Sequence, residues 1–291
     1  MKITIAHSTG FCSGVQRAIK GAKRALENQV GIYCLGEIIH NPRVIESLKK
    51  QGLVVVDDIE SVPKGASFII RSHGLPKNLI EKAALKGLEV LDFTCPKVKK
   101  IHTLVTRLSK EGYFILVAGN PKHPEVKAIL SLVERKTRSA GDAIVVQRPE
   151  DLSIPDRCEK LALVVQTTFD PARFLDIVLE TVAVSRTTLV HNTLCEETLK
   201  RQREALELAG RVDYMVVVGG KNSSNTRTLF ELVRRKVPAV HIEACDELDE
   251  QLFRGVERVG IISGASTPEG EVREVYRKLE SFEVARRGYS C

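Results

Sequence analysis

The segment Glu89-Val90-Leu91-Asp92-Phe93-Thr94-Cys95-Pro96 carries a short apolar run into a cysteine and then changes period. Beyond it, Val98, Ile101, Val105 and Leu108 recur at helix spacing, so the stretch reads as strand, cysteine, helix. The same frame occurs twice more. Ile3–Ala6 leads to Cys12 and to a stripe of Val15, Ala18, Ile19, Ala22, Ala25 and Leu26; Thr187–His191 leads to Cys195 and to a thinner stripe of Leu199, Ala205, Leu206 and Ala209. Each helix gives way to a strand ending in glycine, at Gly36, Gly119 and Gly219, all 24 residues after their cysteine. Four residues further stand His40, His123 and Ser223. Cys34, Cys158 and Cys245 have Asp58, Val182 and Glu269 at the glycine offset and lack the frame. The pattern predicts three diverged copies of one module.

Twelve strands follow from the short β-branched or apolar runs. The others are Ile32–Leu35, Leu53–Val56, Phe68–Arg71, Glu89–Asp92, Phe114–Ala118, Ala143–Gln147, Leu161–Gln166, Tyr214–Val218, Ala239–Glu243 and Val259–Ser263. Their alternation with amphipathic stretches predicts an α/β fold. The repeat predicts three modules with small, mainly parallel sheets; if these face one another, in a pseudo-threefold arrangement, their strand ends meet at a central cavity. The expected spans are 1–95, 96–190 and 191–275, each strand set beginning with its cysteine-led strand, followed by a tail over 276–291.

Composition narrows the function. The 291 residues are 43% hydrophobic and 28% charged, enough apolar material for sizeable cores and unlike a disordered chain. Net charge is 44 − 37 = +7. With no tryptophan and 5% aromatics, base stacking has little to work with. No apolar run approaches a membrane span and no signal-peptide core is present, which places the chain in the cytoplasm. In a reducing compartment seven cysteines without a C-x-x-C pair point to metal ligands or reactive thiols rather than disulfides or a zinc ribbon.

Ligands gather beyond the carboxyl ends of parallel strands. There the frame puts Cys12, Cys95 and Cys195, with the loops Ser72-His73-Gly74, Thr167-Thr168 and Gly264-Ala265-Ser266. Three soft thiolates suit an iron–sulfur cluster or zinc. A cluster with three cysteines leaves one iron open, whereas a fourth ligand from Cys34, Cys158, Cys245 or a histidine would close it. His40, His73 and His123 suit an anion, and Gly219 to Asn225, between a strand and a helix, offers a phosphate cradle outside the Walker pattern. Glu125, two residues from His123, is a candidate proton carrier. His7, His102, His191 and His241 read as structural.

Eight motifs carry a resemblance over almost the whole chain. They are Gly10-Phe11-Cys12-Ser13-Gly14-Val15, His40-Asn41-Pro42, Ser72-His73-Gly74, Thr94-Cys95-Pro96, His123-Pro124-Glu125-Val126, Gln166-Thr167-Thr168, Gly219 to Asn225, and Gly264-Ala265-Ser266-Thr267-Pro268. In this order the chain resembles the 4-hydroxy-3-methylbut-2-enyl diphosphate reductases of isoprenoid biosynthesis. The resemblance implies a [4Fe-4S] cluster on Cys12, Cys95 and Cys195 with one open iron. It gives the diphosphate to His40, His73, Ser223, Ser224, Asn225 and Ser266, with His123 nearby and Thr198 beside the substrate. Glu125 becomes the proton source, aided by Thr167. The implied reaction is reductive dehydroxylation to isopentenyl or dimethylallyl diphosphate, fed by a ferredoxin- or flavodoxin-type donor, in a monomer. The chain departs from the pattern at Phe93 and Glu197, usually alanine, and at Ala128, usually glycine.

Three rival readings have their own signatures. A divergent paralogue would use the same cavity on another substrate. A non-catalytic cluster or zinc protein would bind metal without responding to a diphosphate. Nucleic-acid binding would rest on the +7, but acids interleave with the bases in Glu197-Thr198-Leu199-Lys200-Arg201-Gln202-Arg203-Glu204, which reads as a solvated face.

Overall fold

A computed structural model describes residues 1–29, 31–134, 142–154 and 158–288. In chain order the elements are β1 (Lys2–Ile5), α1 (Ser13–Asn28), β2 (Ile32–Leu35), α2 (Pro42–Lys50), β3 (Leu53–Val56), β4 (Ser67–Ile70), α3 (Lys77–Leu85), β5 (Glu89–Asp92) and α4 (Pro96–Lys110). Then come β6 (Phe114–Ala118), α5 (Pro124–Leu130), β7 (Ala143–Val146), β8 (Lys160–Val165), α6 (Pro171–Ala183), β9 (Thr187–His191) and α7 (Glu196–Ala209). The last are β10 (Tyr214–Val218), α8 (Ser224–Val233), β11 (Ala239–Ile242), β12 (Arg258–Ser263) and α9 (Glu269–Gly288). All twelve expected strands form, within one residue of their expected ends.

They build three four-stranded sheets, all pairs parallel, with orders β3-β2-β4-β5, β7-β6-β8-β9 and β11-β10-β12-β1. Each order is the same, with β1 completing the last sheet. The strand sets are therefore offset by one from those read in sequence. A cysteine-led strand is the last, edge strand of its sheet, and the helix after the cysteine carries the chain into the next. Local pattern reports that a strand exists; β1 finds its partner β12 more than 250 residues away. The span expected as a tail is mostly helix, since α9 runs to Gly288. Cys291 lies outside the described residues.

The chain divides into two compact units. One holds Met1–Val15, His40–Arg43 and the chain from Glu196 onward; the other holds Gln16–Ile39 and Val44–Cys195. In the first, the central strands bury both faces, so they read as unbroken apolar runs. Met215 and Val217 pack with Leu208 and Leu229, whereas Val216 and Val218 pack with Val272, Val275 and Leu279. In the second unit, Ile115 and Val117 meet Ile101, Val105 and Ile129 on one face, while Leu116 meets Phe174 and Ile177 on the other. Phe68 and Ile70 pack with Ile59, Leu75 and Ala83. Among the described residues, no helix is long and apolar enough to cross a membrane.

Candidate active site

The repeat is written in backbone hydrogen bonds. The three glycine N–H groups close the same strand pair in each sheet: Gly36 to Val56 at 2.9 Å, Gly119 to Val146 at 3.0 Å and Gly219 to Ile242 at 2.8 Å. The three cysteine N–H groups each donate to the second residue beyond the third strand of their sheet. Cys95 bonds Ser72 O at 3.0 Å, Cys195 bonds Thr167 O at 2.9 Å and Cys12 bonds Ala265 O at 3.0 Å. All three cysteines are half-buried, and none of them is in a disulfide. Cys34 differs: complete burial pushes its thiol up to about 12, the nearby Arg71 only partly offsetting this.

In the first unit, three loops converge. Gly220 approaches the His40 loop so closely that a Cβ there would lie 2.6 Å from His40 O, and one on Gly264 would lie 2.0 Å from Thr226 Oγ1. Ser223 caps α8, its Oγ accepting from Thr226 N–H at 3.3 Å. Asn225, in the first turn of α8, is only 4% exposed, and neither atom of its amide has a hydrogen-bond partner among the described residues. Orphaned polar groups beside helix N–H groups make a receptive anion site. Ser224 and Ser266 are half-buried and Thr198 is buried in the first turn of α7. His40 is half-buried; Asn41, next to it, donates to Glu271 Oε2 at 3.2 Å. Lys221 spends its charge on Glu247. His241, assigned a structural part, contacts Gly219 O through Nε2 at 2.8 Å and so steadies the cradle.

In the second unit, His123 caps α5, its Nδ1 accepting from Glu125 N–H at 3.2 Å. In the neutral ring the proton is thereby assigned to Nε2. His73 meets His123 edge-on, ring centroids 5.2 Å apart. Glu125 is 1% exposed. Its Oε1 accepts from Thr167 N–H at 2.8 Å and its Oε2 from the Thr167 hydroxyl at 2.7 Å. Burial outweighs those two bonds and raises the carboxyl above its ordinary value. Because Thr167 O also accepts from Cys195 N–H, carboxyl, threonine and cysteine form one chain. Lys97 Nζ lies 3.4 Å from Cys195 Sγ, and Arg17 donates to Thr94 O, one residue ahead of Cys95.

Two departures from the expected pattern point at α1. The Phe93 ring lies over Gly21, where a Cβ would come within 2.5 Å of it, and Glu197 accepts from Ser13 N–H at 3.0 Å and from its hydroxyl. Ala128 is buried against Gly74. The stretch 197–204 is not simply a solvated face. Arg201 is 4% exposed and bonds three backbone carbonyls. Composition does not reveal whether a polar helix face meets water or another segment's backbone, and only the thinness of the apolar stripe after Cys195 hinted at it.

The profile of the LytB protein family matches residues 3–280. The 4-hydroxy-3-methylbut-2-enyl diphosphate reductase of Geobacter sp. strain M21 is 42% identical over 284 residues, 97% of this chain and 98% of that protein. The enzyme of the same name from Clostridioides difficile is 40% identical, over 97% of this chain and all of that one. A solved structure of (E)-4-hydroxy-3-methyl-but-2-enyl diphosphate reductase, the terminal enzyme of the non-mevalonate pathway, matches at TM-score 0.71 with 40% identity, covering 97% and 100% of the two chains. The Plasmodium falciparum reductase matches at TM-score 0.87 with 30% identity, covering 95% and 87%. With its motifs in order and the family profile matched over residues 3–280, the chain belongs to the LytB family.

Proposed function

We propose that this chain is a 4-hydroxy-3-methylbut-2-enyl diphosphate reductase, removing the substrate's hydroxyl to yield isopentenyl and dimethylallyl diphosphate. The observation that carries the reading is the cysteine frame, three half-buried cysteines outside any disulfide whose N–H groups each bond the carbonyl two residues beyond the third strand of a sheet. Such a donor set fits an iron–sulfur centre, and we assign a [4Fe-4S] cluster to Cys12, Cys95 and Cys195 with one iron left to the substrate. When bound, the cluster supplies single electrons and a Lewis-acidic iron.

The remaining work falls to this chain's side chains. Ser223, Ser224, Asn225, Ser266 and His40 bind the diphosphate, with His73 and His123 as further donors and Thr198 beside the carbon chain. The orphaned amide of Asn225 supports this part. Glu125 holds the proton that leaves with the hydroxyl as water. With Oε1 engaged by the Thr167 N–H, the protonated carboxyl presents its O–H at Oε2, to Thr167 Oγ1. The threonine hydroxyl must then turn its own proton outward, so Thr167 relays what Glu125 stores. A ferredoxin- or flavodoxin-type protein provides the electrons.

Anaerobic purification with iron and sulfide analysis, followed by EPR of the reduced protein with and without substrate, tests the reading. Near four irons per chain, a substrate-dependent spectrum and formation of both products are expected. A protein that stays colourless after reconstitution would refute the cluster, and one whose spectrum ignores the substrate would refute the reductase.

A further inference from the structure

Glu197, Arg201 and Glu204 are spaced i, i+4 and i+7 on α7 and so share one face of that helix. All three bond the stretch that runs from the end of β1 to the first residue of α1. Glu204 accepts from the N–H groups of His7 and Ser8, the latter at 2.8 Å. Arg201 donates from Nη1 to Ser8 O at 2.7 Å and Ser263 O at 3.0 Å, and from Nη2 to Gly10 O at 2.9 Å. Glu197 takes the Ser13 N–H and hydroxyl. The ladder therefore spans the segment from its first residues to the start of α1, with Cys12 inside it.

Two physical arguments give the ladder a task. Six residues, 6–11, separate β1 from Cys12, whereas two separate β5 from Cys95 and three separate β9 from Cys195. The longer connection has more conformational freedom to lose. Second, α1 has no acidic residue in its own first turn. Its leading N–H groups are instead met from outside, Ser13 by Glu197 and Val15 by Cys12 Sγ at 3.4 Å. The carboxylate and the thiol thus share the head of one helix. A buried guanidinium is tolerable because three carbonyls and the two flanking acids compensate it. Burial pushes Glu204 up, but the Ser8 and His7 bonds prevail and hold it below its ordinary value, so it is charged.

We propose that Glu197, Arg201 and Glu204 are positioning residues that set the place of the Cys12 sulfur. This rests on the ligand assignment made above for Cys12. The test uses the full-length protein, purified anaerobically, as wild type and as Glu197→Ala, Glu197→Gln, Arg201→Met and Arg201→Lys. Two rates are read: cluster loss to a chelator, and alkylation of Cys12 relative to Cys95 in the stripped chain, resolved by peptide mass spectrometry. Arg201→Met and Glu197→Ala should raise the Cys12 rate about tenfold, equivalent to about 1.4 kcal/mol of lost ordering, leave Cys95 unchanged and hasten cluster loss. Glu197→Gln should restore the slow rate, since an oxygen still meets Ser13. Arg201→Lys should not, because an ammonium lacks the planar fork.

Unchanged Cys12 alkylation in both loss variants, or Glu197→Gln behaving like Glu197→Ala, would overturn the proposal. Should Arg201→Met fail to fold, the half-exposed Glu197 pair decides alone. Free alkylation of Cys12 in the iron-loaded wild type would instead sink the ligand assignment while leaving the ladder standing.

Discussion

Glutamine in place of Glu125 keeps the shape of the side chain and removes its titration. The Gln oxygen can still accept from Thr167 N–H, and its amide can donate to the Thr167 hydroxyl, as the protonated carboxyl does. What disappears is the cost of ionising a carboxyl that is 1% exposed. In wild type, burial raises this group above the ordinary 4.5, against the opposing bonds from Thr167. The unfolded chain therefore sheds its proton first as pH rises. From pH 4.5 upward the unfolded state is increasingly favoured, until the folded group also ionises. Wild type should lose stability relative to Glu125→Gln over that interval, the gap reaching about 1–3 kcal/mol, the range for a polar group buried without full compensation. Urea unfolding of both cluster-free proteins, at about pH 4.5 and about pH 8, measures the gap. A gap that does not change with pH, or a glutamine variant that weakens as pH rises, would show that the Thr167 bonds outweigh burial. Glu125 would then be an ordinary ionised carboxylate with no proton to store. The cluster-loaded variant should keep its iron and lose turnover by about 100-fold or more.

Thr167→Val removes the hydroxyl and keeps the backbone bond to Glu125. Turnover should fall by about 10- to 100-fold in a single-turnover assay while substrate still perturbs the EPR spectrum. Asn225→Leu takes away an amide that has no partner in the structure; thermal melting should show it as stable as wild type or up to about 1 kcal/mol more so, and calorimetry with inorganic diphosphate should show binding lost. At a pKa of about 12, Cys34 holds about one part in 10,000 as thiolate near pH 8. It should resist iodoacetamide long after Cys12, Cys95 and Cys195 of the stripped protein have reacted, and Cys34→Ala should be fully active.

The strands were legible because their information is local. Runs such as Met215-Val216-Val217-Val218 are apolar on both faces, and each alternation with a helical period marks a boundary. The module was legible because its defining bonds involve a glycine and a cysteine that recur at one spacing in all three copies. Pairing was not. Nothing near Lys2–Ile5 says that this strand completes a sheet with β12, because the choice of neighbour depends on packing far along the chain. The roles of Arg201 and Glu271 were hidden for a related reason. A polar residue on a helix looks the same in sequence whether it faces water or the backbone of another loop.

The cysteine frame also explains which neighbours of the three proposed ligands are free to vary. Phe11-Cys12-Ser13, Thr94-Cys95-Pro96 and Leu194-Cys195-Glu196 share nothing but the cysteine. They can differ because each cysteine's backbone is fixed by a bond to a carbonyl two residues beyond an inner strand, which any residue can supply. The side chains around each ligand then meet whatever that bond leaves unsolved. Cys95, two residues from its strand and followed by Pro96 at the first position of α4, needs little more. Cys195 has Thr167, which ties it to Glu125, and Lys97 close to its sulfur. Cys12 stands at the end of a longer connection from its strand, and there the proposed ladder of three charged residues on α7 would do what strand proximity does elsewhere. Sensitivity to mutation should therefore be unequal among three proposed ligands that the fold otherwise treats alike: substitutions beside Cys95 should stay local, whereas those around Cys12 should be felt through α7.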